Sequence, residues 1–271
     1  MGKLDGQVAF ITGAARGQGR AHANRLAEEG ADIIAVDICS QIECVGYAMS
    51  TSADLEETVR QIEGRGRRII AHQADTRDAD ALQKAFDDGV AALGPVTVVV
   101  ANAGIGPGGM ASNEQQWEEI IGVNLTGVWN TGRAAIPSMV KAGSGGSIVL
   151  TSSTGGLTGA PIDVAGMLAY TAAKHGVIGL TRSWANSLAP HFIRVNSVAP
   201  TTVRTPMAGG GNVAEIVENV PQLAGSLMNA IPVEAVDPID VSNAIAWLVS
   251  DEARYVTGTV IPVDAGNINR R

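Results

Sequence analysis

Short β-rich apolar runs alternating with amphipathic stretches predict an α/β chain built on a doubly wound parallel sheet. Three observations carry that reading. The apolar runs fall at residues 8–12, 33–36, 68–72, 96–101, 147–151, 194–198 and 259–263, with helix-patterned segments between them. The runs are continuous rather than alternating, as in Val96-Thr97-Val98-Val99-Val100, which is the pattern of strands covered by helices on both faces. A glycine-rich turn leaves the first run and opens a helix. A single seven-stranded Rossmann-type domain over residues 1–271 follows.

Taken in order, the first run is followed by a helix at 18–29, and Gly30 stands where a C-terminal cap is expected. After the second run, residues 40–52 fit neither helix nor strand, so an insertion is expected at about 38–52. The next helix, 54–63, places Leu55, Val59 and Ile62 on one face, with Gly64 as its cap. Long central helices are expected at 115–142 and 170–188. Residues 209–232, after the sixth run, again fit no regular element and belong to a substrate lid at about 207–232.

Composition excludes several classes of function. With 19 Lys+Arg against 27 Asp+Glu the net charge is −8, which argues against a nucleic-acid binder. A chain 45% hydrophobic and 17% charged is not disordered. Its two cysteines, Cys39 and Cys44, form neither a disulfide framework nor a C-x-x-C site, so a reducing cytoplasm is the expected compartment. The first residues show no apolar signal core and no myristoylation pattern, and no apolar run approaches the ~18 residues of a membrane span. The four histidines, His22, His72, His175 and His191, show no metal-ligand spacing, and no metal is expected. Trp117, Trp129, Trp184 and Trp247 fall in helices and are expected in the core or at a subunit interface.

The turn Thr12-Gly13-Ala14-Ala15-Arg16-Gly17-Gln18-Gly19 has the chemistry of a phosphate cradle. Gly13 allows a sharp exit from the strand, Gly17 and Gly19 admit close backbone approach, and the helix that follows aims its positive end at an anion. The spacing G-x-x-x-G-x-G departs from the dinucleotide fingerprint G-x-G-x-x-G. Asp37 ends the second strand 24 residues past Gly13, where an acid accepts from the adenosine ribose hydroxyls, with Ile38 beside it. Its charge repels a 2′-phosphate, so the expected cofactor is NAD rather than NADP; Arg16 could hold such a phosphate, but the repulsion by Asp37 is expected to outweigh it. Asp75, followed by Thr76, either caps the next helix or accepts from the adenine amino group. Asn102-Ala103-Gly104 ends the fourth strand with residues small enough to admit a cofactor at the carboxyl end of the sheet.

Tyr170 and Lys174 stand four residues apart, on one face of the expected helix. A free phenol ionises near pH 10, and a neighbouring cation lowers that value toward the range of a useful base. Ser152-Ser153 ends the fifth strand just before this helix, and Asn124 lies in the helical stretch before that strand.

In order along nearly the whole chain, Thr12 to Gly19, Asn102-Ala103-Gly104, Asn124, Ser153 and Tyr170 with Lys174 resemble the successive motifs of the short-chain dehydrogenase/reductases. The resemblance implies Tyr170 as acid/base, Ser153 as the hydrogen-bond partner of the substrate oxygen, and Lys174 on the nicotinamide ribose, lowering the Tyr170 pKa. It implies Asn124 as support for a proton-relay water. The stretch from Gly155 to Tyr170 is about four residues longer than the common family spacing, at 162–168, which favours Ser153 over Ser152. Pro200-Thr201-Thr202-Val203-Arg204-Thr205 stands where the family commonly has Pro-Gly, so position 201 must accept a β-branched residue. Pro200, Val203 and Thr205 are placed near the nicotinamide amide and pyrophosphate. The family also implies a homotetramer packed through its two long central helices.

The insertion after Asp37, the Gly17-Gln18-Gly19-Arg20 turn and the Pro200-Thr201-Thr202-Val203 variant look similar to the carveol-dehydrogenase-like, mycofactocin-associated branch. That branch implies NAD held without exchange and reoxidised by a mycofactocin-type carrier, with residues 40–52 folded over the adenosine end. The alternative is a plain surface excursion. Substrate selection is assigned to 155–168 and to the segment holding Met207, Val217, Leu223, Leu227, Met228 and Ile231, whose apolar character fits a small hydrophobic or terpenoid secondary alcohol. The rivals are an ordinary dehydrogenase with exchanging NAD, a non-catalytic NAD-binding sensor, and an epimerase or dehydratase on the same scaffold.

Overall fold

Apolar strands with no polar face can pair stably only where helices cover both sides. The computed structural model, which describes residues 2–107, 113–159, 163–209, 218–220, 223, 225 and 227–270, meets that condition with two apolar layers around one sheet. The strands are β1 (Val8–Thr12), β2 (Asp32–Asp37), β3 (Ile69–Gln73), β4 (Val98–Ala101), β5 (Gly146–Thr151), β6 (Ile193–Pro200) and β7 (Val260–Val263). They run parallel in the order β3-β2-β1-β4-β5-β6-β7.

The period-two geometry of a strand divides β1 between the layers. Ala9 and Ile11 face the layer of α1 (Gly17–Glu28), α2 (Ser52–Glu63) and α8 (Pro238–Val249). Val8 and Phe10 face that of α3 (Ala79–Leu93), α5 (Gly127–Ala142) and α6 (Ala165–Leu188), where Phe10 meets the Phe86 ring edge-on with centroids 5.2 Å apart. Thr51 and Asp54 form a capping box that starts α2.

The elements differ from the sequence reading in three places. The stretch 115–142 is not one regular helix: α4 (Glu114–Ile121) passes through a π turn at Gly122–Thr126 into α5. Helix α6 begins at Ala165, ahead of Tyr170, and α3 and α8 are additional elements. The segment expected to be irregular after β6 starts with a helical turn, α7 (Pro206–Gly209), and residues 218, 219, 223, 225 and 227 are helical as well. Both expected caps hold: Gly64 is the cap residue of α2, and Gly30, left-handed at φ 102°, closes α1 with its amide on the Ala27 carbonyl at 2.9 Å.

The sheet reverses its winding between β1 and β4, and the crevice at the carboxyl ends of those two strands is where a parallel sheet of this kind opens. The turn after β1 is driven into that crevice. A Cβ on Gly19 would sit 1.9 Å from the Gly13 carbonyl oxygen, and one on Gly13 would sit 2.9 Å from the Ala103 Cα, so neither position accepts a side chain. Among the described residues no helix is long and apolar enough to cross a membrane.

Behind the turn, His22 of α1 is fully buried, with Nδ1 2.7 Å from the Ser242 hydroxyl of α8. Burial pushes its imidazole down to about 3 from an ordinary value of 6.5. The folded chain therefore holds His22 neutral while the unfolded chain protonates it below pH 6.5, so stability is lost as pH falls from 6.5 toward 3. The expected contribution is up to about 1.4 kcal/mol per pH unit within that window. Urea titrations between pH 4 and pH 6.5 should show this slope in the wild type and a shallower one in His22→Gln.

Candidate active site

The crevice is a cleft of about 840 Å³ that opens to solvent, and five segments supply most of its floor and walls. Gly13, Arg16, Gly17, Gln18 and Gly19 form the floor at the start of α1; Asp37 and Ile38 stand at the end of β2; Asp75 and Thr76 follow β3; Asn102, Ala103 and Gly104 follow β4; Thr205 follows β6. No side chain caps the amino end of α1, whose N–H groups face this space. The turn is tied to β4 at the switch point, because Thr12 Oγ1 accepts from the Asn102 and Ala103 amides and Asn102 Nδ2 donates to the Thr12 carbonyl at 3.1 Å.

Asp37 is buried, and both carboxylate oxygens are already oriented. Oδ2 accepts from the Ala15 amide at 2.9 Å, while Oδ1 accepts from the Ser50 hydroxyl at 2.5 Å and the Cys39 amide at 3.2 Å. Oδ1 has both lone pairs taken, while Oδ2 keeps one acceptor site. Asp75 is not the cap of α3; that role falls to Asp78, which accepts from the Asp80 and Ala81 amides. Asp75 instead pairs with Arg77, whose guanidinium also meets Glu119, and remains on the cleft wall.

Behind Gly104 of the cleft wall, where a Cβ would lie 3.7 Å from the Lys174 Nζ, stand Lys174, Tyr170 and Ser153. Ser153 Oγ and the Tyr170 ring meet at Gly155, each 3.6 Å from where a Cβ on that glycine would stand, and the Ser153 side chain accepts from the Gly155 amide at 3.1 Å. Lys174 is buried, its Nζ donating to the Thr151 carbonyl at 2.8 Å and lying 5.6 Å from the centre of the Tyr170 ring. Ser152 points into the protein and donates to the Lys174 carbonyl at 2.9 Å. Burial pushes the Tyr170 hydroxyl up, opposed by the neighbouring Ser153 side chain, and brings Lys174 down to about 8.

Asn124 lies in the π turn, fully buried, and its side-chain amide is spent on backbone. Oδ1 accepts from the Ile105 amide and Nδ2 donates to the Ile105 carbonyl, both at 2.8 Å. Any role toward water therefore falls to its main chain rather than its side chain. Val203 departs from its expected place more clearly. Its side chain is in the α1–α8 core layer, and it bridges Val236 through the Thr202 carbonyl and the Arg204 amide, so its own amide faces away from that partner. Pro200 ends β6 without joining the cleft wall. Thr201 accepts its β-branched shape without strain and donates to Asn229 Oδ1 at 3.0 Å.

The sequence reading left the insertion's own residues unassigned. Residues 38–52 are a strap over the cleft, not a surface excursion. Ile42, Tyr47, Met49 and Ser50 line the cavity, and Ile42 and Val45 pack with Ile105, Ile120, Val123 and Ala169. Gln41 organises the loop by donating to the Ile42, Val45 and Tyr47 carbonyls and accepting from the Met49 amide. Arg16 fastens it to the glycine turn by donating to the Ala48 carbonyl. Length had flagged the segment, but no spacing marked which residues turn inward. Of the lid residues, Met207 lines the cleft and Leu223 is buried, whereas Met228 and Ile231 face outward in this chain and Val217 lies outside the described residues.

The family of the chain can now be stated from comparison with known proteins. A family model described as Enoyl-(Acyl carrier protein) reductase matches residues 13–267. The chain belongs to the short-chain dehydrogenase/reductase family. Among its relatives is an uncharacterized oxidoreductase of Mycobacterium tuberculosis, 52% identical over 99% of this chain and 98% of its own length. The (-)-trans-carveol dehydrogenase of Rhodococcus erythropolis is 47% identical over 98% of this chain and 99% of its own. The crystal structure of carveol dehydrogenase from Mycobacterium avium in complex with NAD aligns with a TM-score of 0.92 at 47% identity, covering 99% of this chain and all of that one. The chain is accordingly an oxidoreductase of this family.

Replacing Asn124 by Ala leaves the Ile105 amide and carbonyl unpaired inside the protein. The expected cost is about 2–4 kcal/mol of unfolding free energy, to be read by urea denaturation at neutral pH.

Proposed function

We propose that the chain is an NAD-dependent dehydrogenase that interconverts a small hydrophobic secondary alcohol, of terpenoid type such as carveol, and its ketone. The observation that carries the reading is the grouping of Tyr170, Ser153 and buried Lys174, with the Lys174 Nζ next to Gly104 of a cleft whose floor is an uncapped helix amino end. The dinucleotide fits this cleft on the geometry of its residues. Gly13 and Gly19 leave only backbone at the pyrophosphate position, and the α1 amides supply donors for an anion. Asp37 offers an acceptor where ribose hydroxyls would come, and its charge opposes a 2′-phosphate. Gly13, Arg16, Gly17, Gln18, Gly19, Asp37, Ile38, Asp75, Thr76, Asn102, Ala103, Gly104 and Thr205 are assigned to this cofactor, Val203 through its main chain alone, with Pro200 only framing the turn.

Bound NAD supplies the hydride acceptor. In oxidation, Tyr170 takes the hydroxyl proton while the hydride leaves the carbinol carbon; in reduction the two transfers reverse. Ser153 holds the substrate oxygen, and Lys174 holds the ribose and favours the phenolate electrostatically. A non-catalytic NAD sensor would need the glycines and Asp37 but not this proton-transfer group.

Two finer readings belong with this one. The strap is fastened at the ribose end through Ser50 and at the phosphate turn through Arg16, which supports a dinucleotide retained between turnovers and reoxidised by a mycofactocin-type carrier. Trp117, Trp129 and Trp247 are each about two-fifths exposed, which supports burial in a homotetramer, whereas Trp184 already packs over Gly132 between α5 and α6. The expected compartment is the cytoplasm.

Protein denatured directly after purification should release close to one NAD(H) per chain and, before denaturation, should turn over secondary alcohols only with an artificial electron acceptor. An empty protein that works with free NAD would make it an ordinary exchanging dehydrogenase. Tyr170→Phe should lose about 10²–10⁴-fold in turnover while keeping its dinucleotide, and Lys174→Met should raise the apparent pKa of the ascending limb of alcohol oxidation by about one unit or more. Where cofactor is added back, NAD should be preferred over NADP at least about tenfold, a preference that Asp37→Ala should erode.

A further inference from the structure

The strap does more than span the adenosine end of the cleft. Its residue Tyr47 reaches the opposite end, where its hydroxyl accepts from the Gly106 amide at 3.1 Å. Gly106 follows Ile105, whose amide and carbonyl are both held by Asn124. The segment after β4 is therefore fixed twice, by Asn124 from the central helix and by Tyr47 from the strap. A third element closes on the same point. A Cβ on Gly106 would lie 3.3 Å from the Met207 Cγ and 3.9 Å from the Tyr47 Cε1, so this glycine is seated between the helical turn after β6 and the strap phenol. Tyr47 and Met207 both line the cleft. Tyr47 and Tyr170 pack on the same apolar cluster of Ile42, Val45, Ile105, Ile120, Val123 and Ala169.

We propose that Tyr47 is a positioning and specificity-determining residue: its ring walls the reacting end of the cleft against solvent, and its hydroxyl holds Gly106 so that the room beside Tyr170 admits small apolar alcohols and excludes bulky ones. This rests on the reading of the cleft as an NAD site. Tyr47 is not a second base, because burial pushes its phenol up to about 12 and its oxygen is committed to the Gly106 amide. Its two parts act separately. The ring supplies shape and water exclusion, and the hydroxyl supplies a single hydrogen bond that fixes backbone.

The test compares wild type, Tyr47→Phe and Tyr47→Ala in two measurements. The first is iodide quenching of the fluorescence of bound NADH. Tyr47→Ala should raise the quenching constant about threefold or more, while Tyr47→Phe, which keeps the ring, should leave it unchanged. The second is kcat/KM for a graded series of cyclic secondary alcohols with an artificial acceptor. Tyr47→Ala should shift the ratio of bulky to small alcohols by about tenfold toward the bulky ones. Tyr47→Phe should raise KM for the small alcohols about three- to tenfold, the loss of one hydrogen bond, with kcat changed less than twofold. Wild-type binding of NADH with neither quenching nor ratio altered in Tyr47→Ala overturns the role of Tyr47 alone. Wild-type protein that binds no NADH overturns the NAD reading and this role with it.

Discussion

The seating of the β1–α1 turn against the end of β4 is the constraint on which the rest of the structure depends. At the point where a doubly wound sheet reverses, two neighbouring strands send their chains to opposite faces and leave an open crevice. Here the Gly13–Gly19 contact fills the base of that crevice with backbone alone, since a Cβ at either position meets main-chain atoms. Thr12 and Asn102 then lock the two strand ends across it. The consequence is a floor made of amides rather than side chains, which is what an anion needs, and a fixed starting direction for α1. His22, Ala23 and Leu26 are buried because that direction is fixed.

The strap depends on the same floor. A loop without helix or strand must satisfy its own backbone groups, and Gln41 does so from within by bonding four of them. Cys39 adopts a left-handed conformation at φ 46°, which is strained for a residue with a side chain, and its amide is held there by Asp37. One carboxylate thus orients the glycine turn through Ala15, starts the strap through Cys39 and ends it through Ser50. Asp37 is an organiser of the chain as well as a candidate ligand, so its replacement acts on both.

Much of this was legible in the sequence, and the limits are physical. Continuous apolar runs specify a covered parallel sheet because no other arrangement buries both faces, and the strands lie within a few residues of their expected bounds. The glycine turn, Asp37 and the Tyr170–Lys174 pair were legible because each has a spacing set by local geometry. Tyr47 was not, since a loop closed by tertiary hydrogen bonds leaves no periodicity to read. The side chain of Val203 was hidden for a related reason: a motif position says that the backbone passes the cofactor, but the side chain follows the burial pattern of the bridge to Val236. The break at Asn124 was likewise hidden, because a π turn alters hydrogen-bond partners without changing helical composition.

The burial that makes the reacting end selective also works against its chemistry. Desolvation raises Tyr170 and lowers Lys174, so both shifts favour the neutral pair over the phenolate and ammonium that proton abstraction requires. Ser153 opposes this only on the tyrosine side. A buried site of this kind gains its base when a further positive charge enters to favour the phenolate, and oxidised NAD carries one. The coupling follows from placement: the amide floor of α1 draws the dinucleotide by its phosphates, the strap encloses it, and the same enclosure strengthens every charge interaction at Tyr170 by excluding water. Under the proposed function, retention of the cofactor and basicity of the tyrosine are two effects of one closed cleft, and loosening the strap would weaken both.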